Sequence, residues 1–145
     1  MKVVLQRIKN AKCVVGNLVT GQIHYGYLLL VGFKTGDTAE ILPKMVKKIA
    51  NLRVFEDENG KMNQSLSDVK GEILSISQFT LYADLSKGNR PSFTDALKPE
   101  AAKDLYLAFG TQLRSLGIPV AEGIFGAHMD LEFTNDGPVT IIIEY

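Results

Sequence analysis

The sequence predicts an α+β fold of mostly antiparallel β-sheets, barrel-like and in two layers, with two main helices packed on one side. Most apolar segments alternate with polar residues or form short β-branched runs, as strands do. Only two segments carry apolar residues at helical spacing, and they lie between groups of strands. A length of 145 residues with 46% hydrophobic residues predicts a single domain, residues 1–145, with a sizeable core.

Three strands are predicted at the start of the chain. Residues 3–8 and 12–19 alternate between apolar and polar side chains and are separated by Lys9-Asn10-Ala11, which predicts an opening hairpin. Residues 23–33 follow a break at Thr20-Gly21 and continue through β-branched, aromatic and leucine residues. Such a run is typical of a strand buried on both faces, so we expect it at the centre of a sheet.

The first helix is predicted to begin near Asp37, which has capping-box spacing to Glu40. Pro43 fits this start poorly because proline deletes an internal backbone hydrogen bond, so the helix is kinked there or begins a turn later. An apolar stripe and a polar outer face follow at helical spacing. The stripe consists of Ile41, Met45, Ile49 and Leu52, and the outer face of Lys44, Lys47, Lys48 and Asn51.

The remaining elements are a hairpin, a second helix and further strands. Asn59-Gly60 predicts a tight turn, residues 72–77 a strand, and residues 84–98 a loop. The second helix is predicted to begin at Pro99 and to stop at Gly117. Its apolar stripe consists of Leu105, Phe109, Leu113 and Leu116, and the predicted C-terminal strands are residues 118–122, 129–133 and 139–145.

The apolar segments are too short for a membrane protein. The longest comprises residues 25–33, whereas a helical span needs roughly 20 residues. The first residues turn polar too early for the apolar core of a signal peptide. Cys13, the single cysteine, lies in an alternating segment, which favours a small buried apolar group over a reactive thiol. We therefore expect a cytoplasmic protein that makes no membrane contact.

Charge is unevenly distributed although the net charge is zero. A basic N-terminal segment, residues 1–36, contains no acidic residue, and such a segment can mark where a polyanion docks. Alternatively, its lysines blunt exposed strand edges. The basic residues of this segment are Lys2, Arg7, Lys9, Lys12 and Lys34.

The usual catalytic and metal-binding patterns are absent. A serine hydrolase needs a nucleophile on a Gly-x-Ser-x-Gly elbow, and Ser77 lacks those glycines. His24 lies in a predicted core strand, and neither it nor His128 is spaced to a partner, which favours structural roles. With Cys13, these histidines form none of the close ligand pairs that zinc sites use. The sequence therefore predicts no metal site and no cofactor.

Two short polar and aromatic motifs remain. The first, Ser77-Gln78-Phe79-Thr80-Leu81, ends a predicted strand. A strand that stops there exposes successive backbone N–H groups, and two such donors aimed at a carbonyl form an oxyanion hole, with the Ser77 and Thr80 hydroxyls available to orient an ester. Alternatively, these hydroxyls satisfy local main-chain groups at an ordinary strand end.

The second motif is Asn135-Asp136-Gly137-Pro138-Val139-Thr140. One interpretation is a hairpin turn, with Pro138 as the first residue of the next strand. The other is a cis bond between Gly137 and Pro138, which is accessible because X-Pro bonds tolerate the cis form. A cis bond would hold two neighbouring carbonyls in one direction, where they could accept hydrogen bonds from the ammonium group of a ligand.

Both motifs, in this order, resemble those of the D-aminoacyl-tRNA deacylases, the D-Tyr-tRNA deacylase family. The likeness extends over nearly the whole chain, and two motifs of this length are unlikely to agree by chance. The other segments that carry it are residues 5–7, 52–57, 60–63, 88–93 and 125–127.

The resemblance implies a cytoplasmic homodimer that acts on the 3′ end of aminoacyl-tRNA and hydrolyses the ester to a D-amino acid. The Gly137–Pro138 bond would be cis and would reach into the partner's pocket, where its carbonyls hold the α-amino group and leave no room for an L side chain. Glycine mischarged on tRNA-Ala is then an implied second substrate. The 2′-OH of the terminal adenosine would help to activate water, so no cofactor is needed.

The resemblance also assigns roles to individual residues. The N–H groups around Phe79 and Thr80 would stabilise the oxyanion, while Ser77 and Gln78 would position the substrate and the arriving loop. The substrate-binding residues would be Phe125 and Met129, which line the adenosine pocket, and Arg7, which braces the Gly-Pro loop.

Two other functions stay open from the residues alone. One is an acyl-enzyme hydrolase with Thr80 as its nucleophile. The other is a non-catalytic RNA-binding protein that uses the basic N-terminal segment.

Overall fold

Seven strands and two helices make up the chain, and the computed structural model describes all 145 residues. Two short 3₁₀ turns, Ala39–Ile41 and Phe79–Tyr82, precede α1 and follow β5. The strands are β1 (Lys2–Val15), β2 (Leu18–Gly32), β3 (Phe55–Glu56), β4 (Met62–Gln64), β5 (Glu72–Ser77), β6 (Val120–Glu122) and β7 (Asp130–Glu144), and the helices are α1 (Leu42–Asn51) and α2 (Pro99–Ser115).

Five strands form one mixed sheet in the order β6-β5-β2-β1-β7, and β3 and β4 form a separate hairpin. β1 runs antiparallel to β2 and β7, whereas β5 runs parallel to β2 and β6. The predicted α+β class is confirmed, and β2 is central as predicted.

The predicted barrel does not form. The edge strands β6 and β7 do not pair with each other, so the sheet stays open. The sheet curls strongly enough that a Cβ on Gly21 would lie 2.9 Å from the Glu122 carbonyl oxygen, yet no ladder joins this part of β2 to β6. Half of the sheet's pairings are parallel because the connections that contain α1 and α2 return the chain to the end where the preceding strand began.

The opening hairpin lies later in the chain than predicted. β1 continues through residues 9–11, and its pairing with β2 passes from Lys9 opposite Tyr25 to Ala11 opposite Ile23 without a shift. Asn10 adopts a positive φ of 50° but does not turn the chain. The reversal occurs after Val15, where Gly16 has a φ of 61°.

Both helices pack against the same face of the sheet, as predicted, because their buried residues belong to one core cluster of 22 residues. α1 begins at Leu42 with Pro43 in its first turn, one turn later than Asp37. Asp37 caps no helix, since its carboxylate accepts a 2.8 Å bond from the Lys34 N–H and lies 2.7 Å from the Met1 amino group.

α2 has the predicted start, but its buried face differs from the predicted stripe. Leu105 is half-buried, and Leu116 is exposed because it lies beyond the last helical residue. Neither helix has the length and apolar character needed to cross a bilayer. The buried residues of α2 are Ala102, Tyr106, Phe109, Gly110 and Leu113.

A second cluster of seven buried residues fills the inside of the curled sheet. Cys13 belongs to it and is fully buried, which confirms the apolar interpretation of this cysteine. The β3–β4 hairpin turns at Gly60, with a φ of 72°, and β5 has the predicted bounds. The predicted strands 129–133 and 139–145 are two parts of β7.

Candidate active site

The first motif forms a turn at the end of β5, which we call the β5 turn (residues 77–82). The Gln78 N–H still reaches β2 and donates to the Val31 carbonyl oxygen at 2.7 Å. The chain then folds into a 3₁₀ turn, in which Leu81 N–H donates to the Gln78 carbonyl oxygen at 3.3 Å and Ala83 N–H to that of Thr80 at 3.1 Å. The strand therefore ends at Ser77.

The N–H groups of Phe79 and Thr80 are the free donors of this turn. They open the 3₁₀ turn, where a helical N–H has no preceding carbonyl within its own helix, and neither donates to any other group of the chain. Two adjacent unpaired N–H groups can stabilise a carbonyl oxygen that gains negative charge.

A cleft of about 120 Å³ lies beside the β5 turn. It brings together four of the predicted site residues, Ser77, Phe79, Phe125 and Met129. None of its eleven lining residues has a side chain that titrates near neutral pH, so the cleft offers no general acid or base of its own. The other lining residues are Val31, Gly32, Phe33, Leu97, Ala102, Gly126 and Ala127.

Aromatic side chains border the cleft. The Phe79 ring is 57% exposed and meets Phe93 edge-to-face, with ring centroids 5.0 Å apart. On the inner side, Phe125 packs against Tyr106 at a centroid distance of 5.9 Å. Burial raises the pKa of Tyr106, whose hydroxyl donates to the Ser75 carbonyl oxygen at 2.7 Å. Tyr106 therefore stays protonated and acts as a support.

No base contacts the Thr80 hydroxyl. Its oxygen accepts a hydrogen bond from the Gln78 side-chain amide, which is a donor and cannot remove a proton. His24 is exposed on β2, rather than inside the core as predicted, and the His128 side chain is 94% exposed with only Asp130 nearby. An activated Thr80 nucleophile therefore lacks the partner that such chemistry needs.

The second motif forms a bulge in β7 and not a hairpin turn. Gln6 pairs with Thr140 and Ile8 with Asn135, so residues 136–139 stand opposite Arg7 alone. Both arms of β7 pair with β1 and not with each other. We call residues 136–139 the β7 loop. The peptide bond between Gly137 and Pro138 is cis, and both residues are exposed.

Arg7 holds the root of the β7 loop. Its side chain is buried and donates to the carbonyl oxygens of Val54 at 2.7 Å and Asp136 at 3.2 Å. The Asp136 carboxylate also lies 3.2 Å from the Arg7 Nε and 2.7 Å from the Lys9 Nζ. The hydrogen bond and the charge of Asp136 raise the pKa of Lys9.

The Asn135 side chain closes the bulge from the other side. With its amide nitrogen towards the Arg7 and Val139 carbonyl oxygens, at 3.0 and 3.3 Å, its oxygen accepts from Gln6 and Thr140. Gly137 has a φ of 121°, and a Cβ there would lie 3.0 Å from an Arg7 nitrogen and 2.9 Å from the Val139 side chain. Only glycine fits this position.

Within one chain the two motifs do not share a cleft. Arg7, which stands opposite the β7 loop, pairs with Tyr27 of β2, and Tyr27 pairs with Ile73 of β5. Ile73 lies four residues before Ser77, and β7 is three strands away from β5 in the sheet. At strand dimensions this separation is on the order of 20 Å. Arg7, Gly137 and Pro138 accordingly do not line the cleft at the β5 turn.

The basic N-terminal segment is largely neutralised. Four of its five basic residues pair with carboxylates, mostly on β7, and this favours the structural interpretation of the charge over a polyanion site. The pairs are Lys2 with Glu144, Arg7 with Glu56 and Asp136, Lys9 with Asp136, and Lys12 with Glu132.

Sequence reasoning missed part of the cleft wall. Leu97 and Ala102 lie before and within α2, whereas Gly32 ends β2 and Phe33 follows it, so long-range packing alone brings them to the β5 turn. No local pattern marks them. Asp136 was part of a recognised motif, but its pairing with Arg7 and Lys9 depends on the β1–β7 register.

Comparison with known proteins finds whole-length similarity. The family model described as D-Tyr-tRNA(Tyr) deacylase matches residues 4–144. Proteins named D-aminoacyl-tRNA deacylase from Deinococcus radiodurans and Exiguobacterium sibiricum are 51% and 57% identical over 144 residues, with 99% of each chain covered. One from Anoxybacillus flavithermus is 58% identical, also with 99% of each chain covered.

Two solved structures are also similar. One, described as c-Myc DNA Unwinding Element Binding Protein, has a TM-score of 0.94 at 44% identity, covering 100% of this chain and 99% of that one. The other, described as a probable eukaryotic D-amino acid tRNA deacylase, has a TM-score of 0.85 at 20% identity, covering 98% and 97%. The second likeness concerns the fold alone.

Proposed function

This chain belongs to the D-Tyr-tRNA(Tyr) deacylase family, and we propose that it proofreads the chirality of aminoacyl-tRNA at a site shared by two subunits. It is a D-aminoacyl-tRNA deacylase, a hydrolase that acts on the ester bond between the amino acid and tRNA. The proposal concerns how the chain performs this reaction, how it rejects L-substrates, and where it does so, which we take to be the cytoplasm.

The proposed chemistry runs on the backbone of the β5 turn. Water attacks the ester carbonyl, the N–H groups of Phe79 and Thr80 stabilise the oxyanion, and the bond to the ribose oxygen breaks. That oxygen takes up a proton, which leaves free tRNA and a D-amino acid. Since no side chain of the cleft titrates near neutral pH, the 2′-OH of the terminal adenosine assists the water.

One observation carries this mechanism: two neighbouring N–H groups without an acceptor lie at a cleft that has no acid or base. In known enzymes a single oxyanion donor contributes about 3 to 4 kcal/mol to transition-state stabilisation. Ser77 lines the same cleft, and its hydroxyl is available to position the ester, while Gln78 supports the turn through Thr80.

Selectivity is proposed to come from the partner subunit's β7 loop, which enters this cleft in a homodimer. Three features support that arrangement. Gly137 and Pro138 are exposed, and they lie on the order of 20 Å from their own chain's cleft. The cleft, at about 120 Å³, is smaller than the roughly 300 Å³ of a small ligand site. Each chain thus contributes part of a site that its partner completes.

In this arrangement the loop carbonyls hold the substrate α-amino group, and only hydrogen fits where an L side chain would point. Rejecting L-substrates 10⁴-fold needs about 5.5 kcal/mol, which a steric clash and a lost ammonium contact supply together. Glycine has no side chain to reject, so glycine mischarged on tRNA-Ala is proposed as a second substrate. Phe125 and Met129 are proposed to hold the terminal adenosine.

The decisive assay incubates the protein separately with D-Tyr-tRNA, L-Tyr-tRNA and Gly-tRNA-Ala. We expect hydrolysis of the first and third and survival of the second. Equal hydrolysis of the D- and L-substrates would refute chiral selection, and hydrolysis of neither would refute deacylation.

The same assay tests Thr80 as a nucleophile. We expect Thr80→Ala to retain substantial deacylation because it keeps the N–H and removes only the hydroxyl. An abolished rate in a folded Thr80→Ala protein would instead favour an acyl-enzyme.

A further inference from the structure

The exposed side of α1 carries positive charge that the chain leaves unpaired. Lys44, Lys47 and Lys48 lie on this side, and Arg53 follows the helix. Together they line an open groove of about 600 Å³ with Asn51, Leu52 and Tyr145. No acidic residue occurs between residues 42 and 53. We call this surface, defined by its four cationic residues, the α1 basic groove.

None of these four side chains forms an ion pair, unlike the lysines of β1. The Lys44 ammonium lies 3.9 Å from the centre of the Tyr145 ring. The Arg53 guanidinium donates to the main-chain oxygen and, at 3.1 Å, to the side-chain oxygen of Asn63. Both are positioned by neutral partners, so their charge remains available to a bound anion.

The groove lies next to the root of the β7 loop. The Leu52 carbonyl oxygen accepts from the Tyr27 hydroxyl at 3.2 Å, and the Val54 carbonyl oxygen accepts from Arg7 at 2.7 Å. The same Arg7 side chain donates to the Asp136 carbonyl oxygen. Arg53 therefore lies between two residues whose carbonyl groups are held by Tyr27 of β2 and by Arg7, the residue that also holds the β7 loop.

We propose that the α1 basic groove binds backbone phosphates of the tRNA acceptor stem. This proposal rests on the proposed function, in which the adjacent β7 loop enters the partner's cleft. A tRNA whose 3′ end occupies that cleft then runs past this groove. Lysine and arginine bind such a duplex by neutralising phosphates and releasing counterions, independently of base sequence.

The test is the double variant Lys47→Gln/Lys48→Gln, which removes two charges that have no partner in the fold. We expect KM for D-Tyr-tRNA to rise on the order of tenfold with kcat unchanged. The slope of log KM against log salt should fall by about one to two, since each lost phosphate contact removes roughly 0.7 to 0.9. Hydrolysis of D-tyrosine esterified to adenosine alone should stay at the wild-type rate.

The matched control, Lys70→Gln/Lys103→Gln, removes two exposed lysines that likewise form no ion pair and lie outside the groove, and it should leave KM unchanged. An equal rise of KM in the control would show a diffuse charge effect and overturn the proposal. Unchanged KM in the groove variant would overturn it too.

Failure of the proposed function is distinguishable from failure of the groove. If the wild-type protein hydrolyses neither D-Tyr-tRNA nor D-tyrosine esterified to adenosine, the proposed deacylation site is refuted. Binding of uncharged tRNA, compared between wild type and the groove variant, still reports on the groove in that case, and equal affinities would overturn the groove proposal.

Discussion

The β5 turn and the β7 loop both depart from regular strand pairing, but they are held in different ways. β5 is an inner strand that ends, and its turn leaves the N–H groups of Phe79 and Thr80 without acceptors. β7 is an edge strand that continues on both sides of its interruption, and its loop is anchored through side chains of β1. One region has free donors beside a cleft, and the other is an exposed loop.

Under the proposed function, the difference explains why a chain without a catalytic side chain completes its site only as a pair. Donors suit the oxyanion of an ester, whereas carbonyls suit an ammonium group, and an α-amino acid ester presents both features. Because the two regions lie on the order of 20 Å apart along one sheet, a single chain cannot direct both at one substrate. Under the proposed function, two-fold symmetry brings them together twice.

The largest expected effect comes from removing one donor of the β5 turn. Phe79→Pro deletes an N–H at the first position of a 3₁₀ turn, where proline is tolerated, and the preceding Gln78 (φ −144°, ψ 82°) lies outside the α region that a following proline disfavours. We expect kcat for D-Tyr-tRNA to fall by about 10²- to 10³-fold. Single-turnover deacylation rates measure the change, with circular dichroism to verify the fold.

Phe79→Ala is the matched control because it also removes the ring but keeps the N–H. The ring is 57% exposed, so its loss disturbs the core little. We expect less than about a tenfold loss, within what one good base-stacking contact contributes. If the proline and alanine variants were equally active, the backbone donor would have no role.

A somewhat smaller effect is expected at the β7 loop. In Gly137→Ala the added Cβ would lie 3.0 Å from an Arg7 nitrogen and 2.9 Å from the Val139 side chain, so the loop must move. A displacement of about 1 Å costs roughly 10²-fold in rate. We expect this loss for D-Tyr-tRNA in kcat/KM assays. Gly60→Ala is the control, since a Cβ there meets nothing within 4 Å.

Mixing the two inactive variants tests whether the regions act across subunits. A Phe79→Pro chain has an intact loop, and a Gly137→Ala chain has an intact cleft. Random mixed dimers would regain about a quarter of wild-type activity if each cleft takes its partner's loop. No recovery on mixing, with dimers demonstrably exchanged, would place both regions at one chain's own site.

The contrast between the two regions also shows what the sequence can predict. The β5 turn is local: an alternating strand followed by Ser77 and Gln78 predicted both the strand end and the free N–H groups. The β7 loop could be interpreted as a hairpin from local residues, because Asn135-Asp136-Gly137 is a common turn sequence. Only the pairing of both arms with β1 excludes the hairpin.

The same limit applies to the fold and to its charges. The local sequence predicted β5 from its alternation, the β3–β4 hairpin from Asn59-Gly60 and the start of α2 from Pro99. It misplaced the first reversal, because Asn10 resembles a turn residue although the ladder continues past it. It also indicated a basic N-terminal segment, because sequence spacing does not reveal that Lys12 lies opposite Glu132 on the neighbouring strand. Long-range pairing decides each of these features.

Arg7 links the loop to the rest of the sheet, and we expect Arg7→Lys to destabilise the protein by about 2 kcal/mol. A lysine cannot reproduce the bonds to the Val54 and Asp136 carbonyl oxygens, although it keeps the charge. Deacylation should fall about tenfold as the loop loosens. Urea unfolding gives the first quantity and kcat/KM the second.

Arg114→Lys is the paired control for Arg7. The Arg114 side chain also forms an ion pair, with Glu122, but it is 44% exposed, whereas that of Arg7 is buried. The substitution should change stability by less than about 1 kcal/mol and leave activity intact. Equal effects of the two substitutions would mean that Arg7 is not the brace of the loop.

The smallest effect is expected for Lys9→Gln, because the Lys9 side chain is 53% exposed and its pair with Asp136 is screened by solvent. The pKa of Lys9 is raised in the folded state, first by its hydrogen bond to Asp136 and then by the charge of that carboxylate. A raised folded-state pKa stabilises the protein fully below the unfolded value of about 10.4, and this stabilisation is lost as the pH rises through the folded-state pKa.

The urea concentration at the unfolding midpoint should therefore be slightly higher for the wild type than for Lys9→Gln, by a constant amount from pH 7 to 9. This difference should shrink above about pH 10.4. A difference that persists at higher pH would show that Lys9 acts through packing instead of charge. The hydrogen bonds from Arg7 to Asp136 do not involve Lys9, so the loop keeps its buried anchor after its exposed one has been neutralised. Of the two cations that bind Asp136, the buried one is thus expected to set the geometry of the loop.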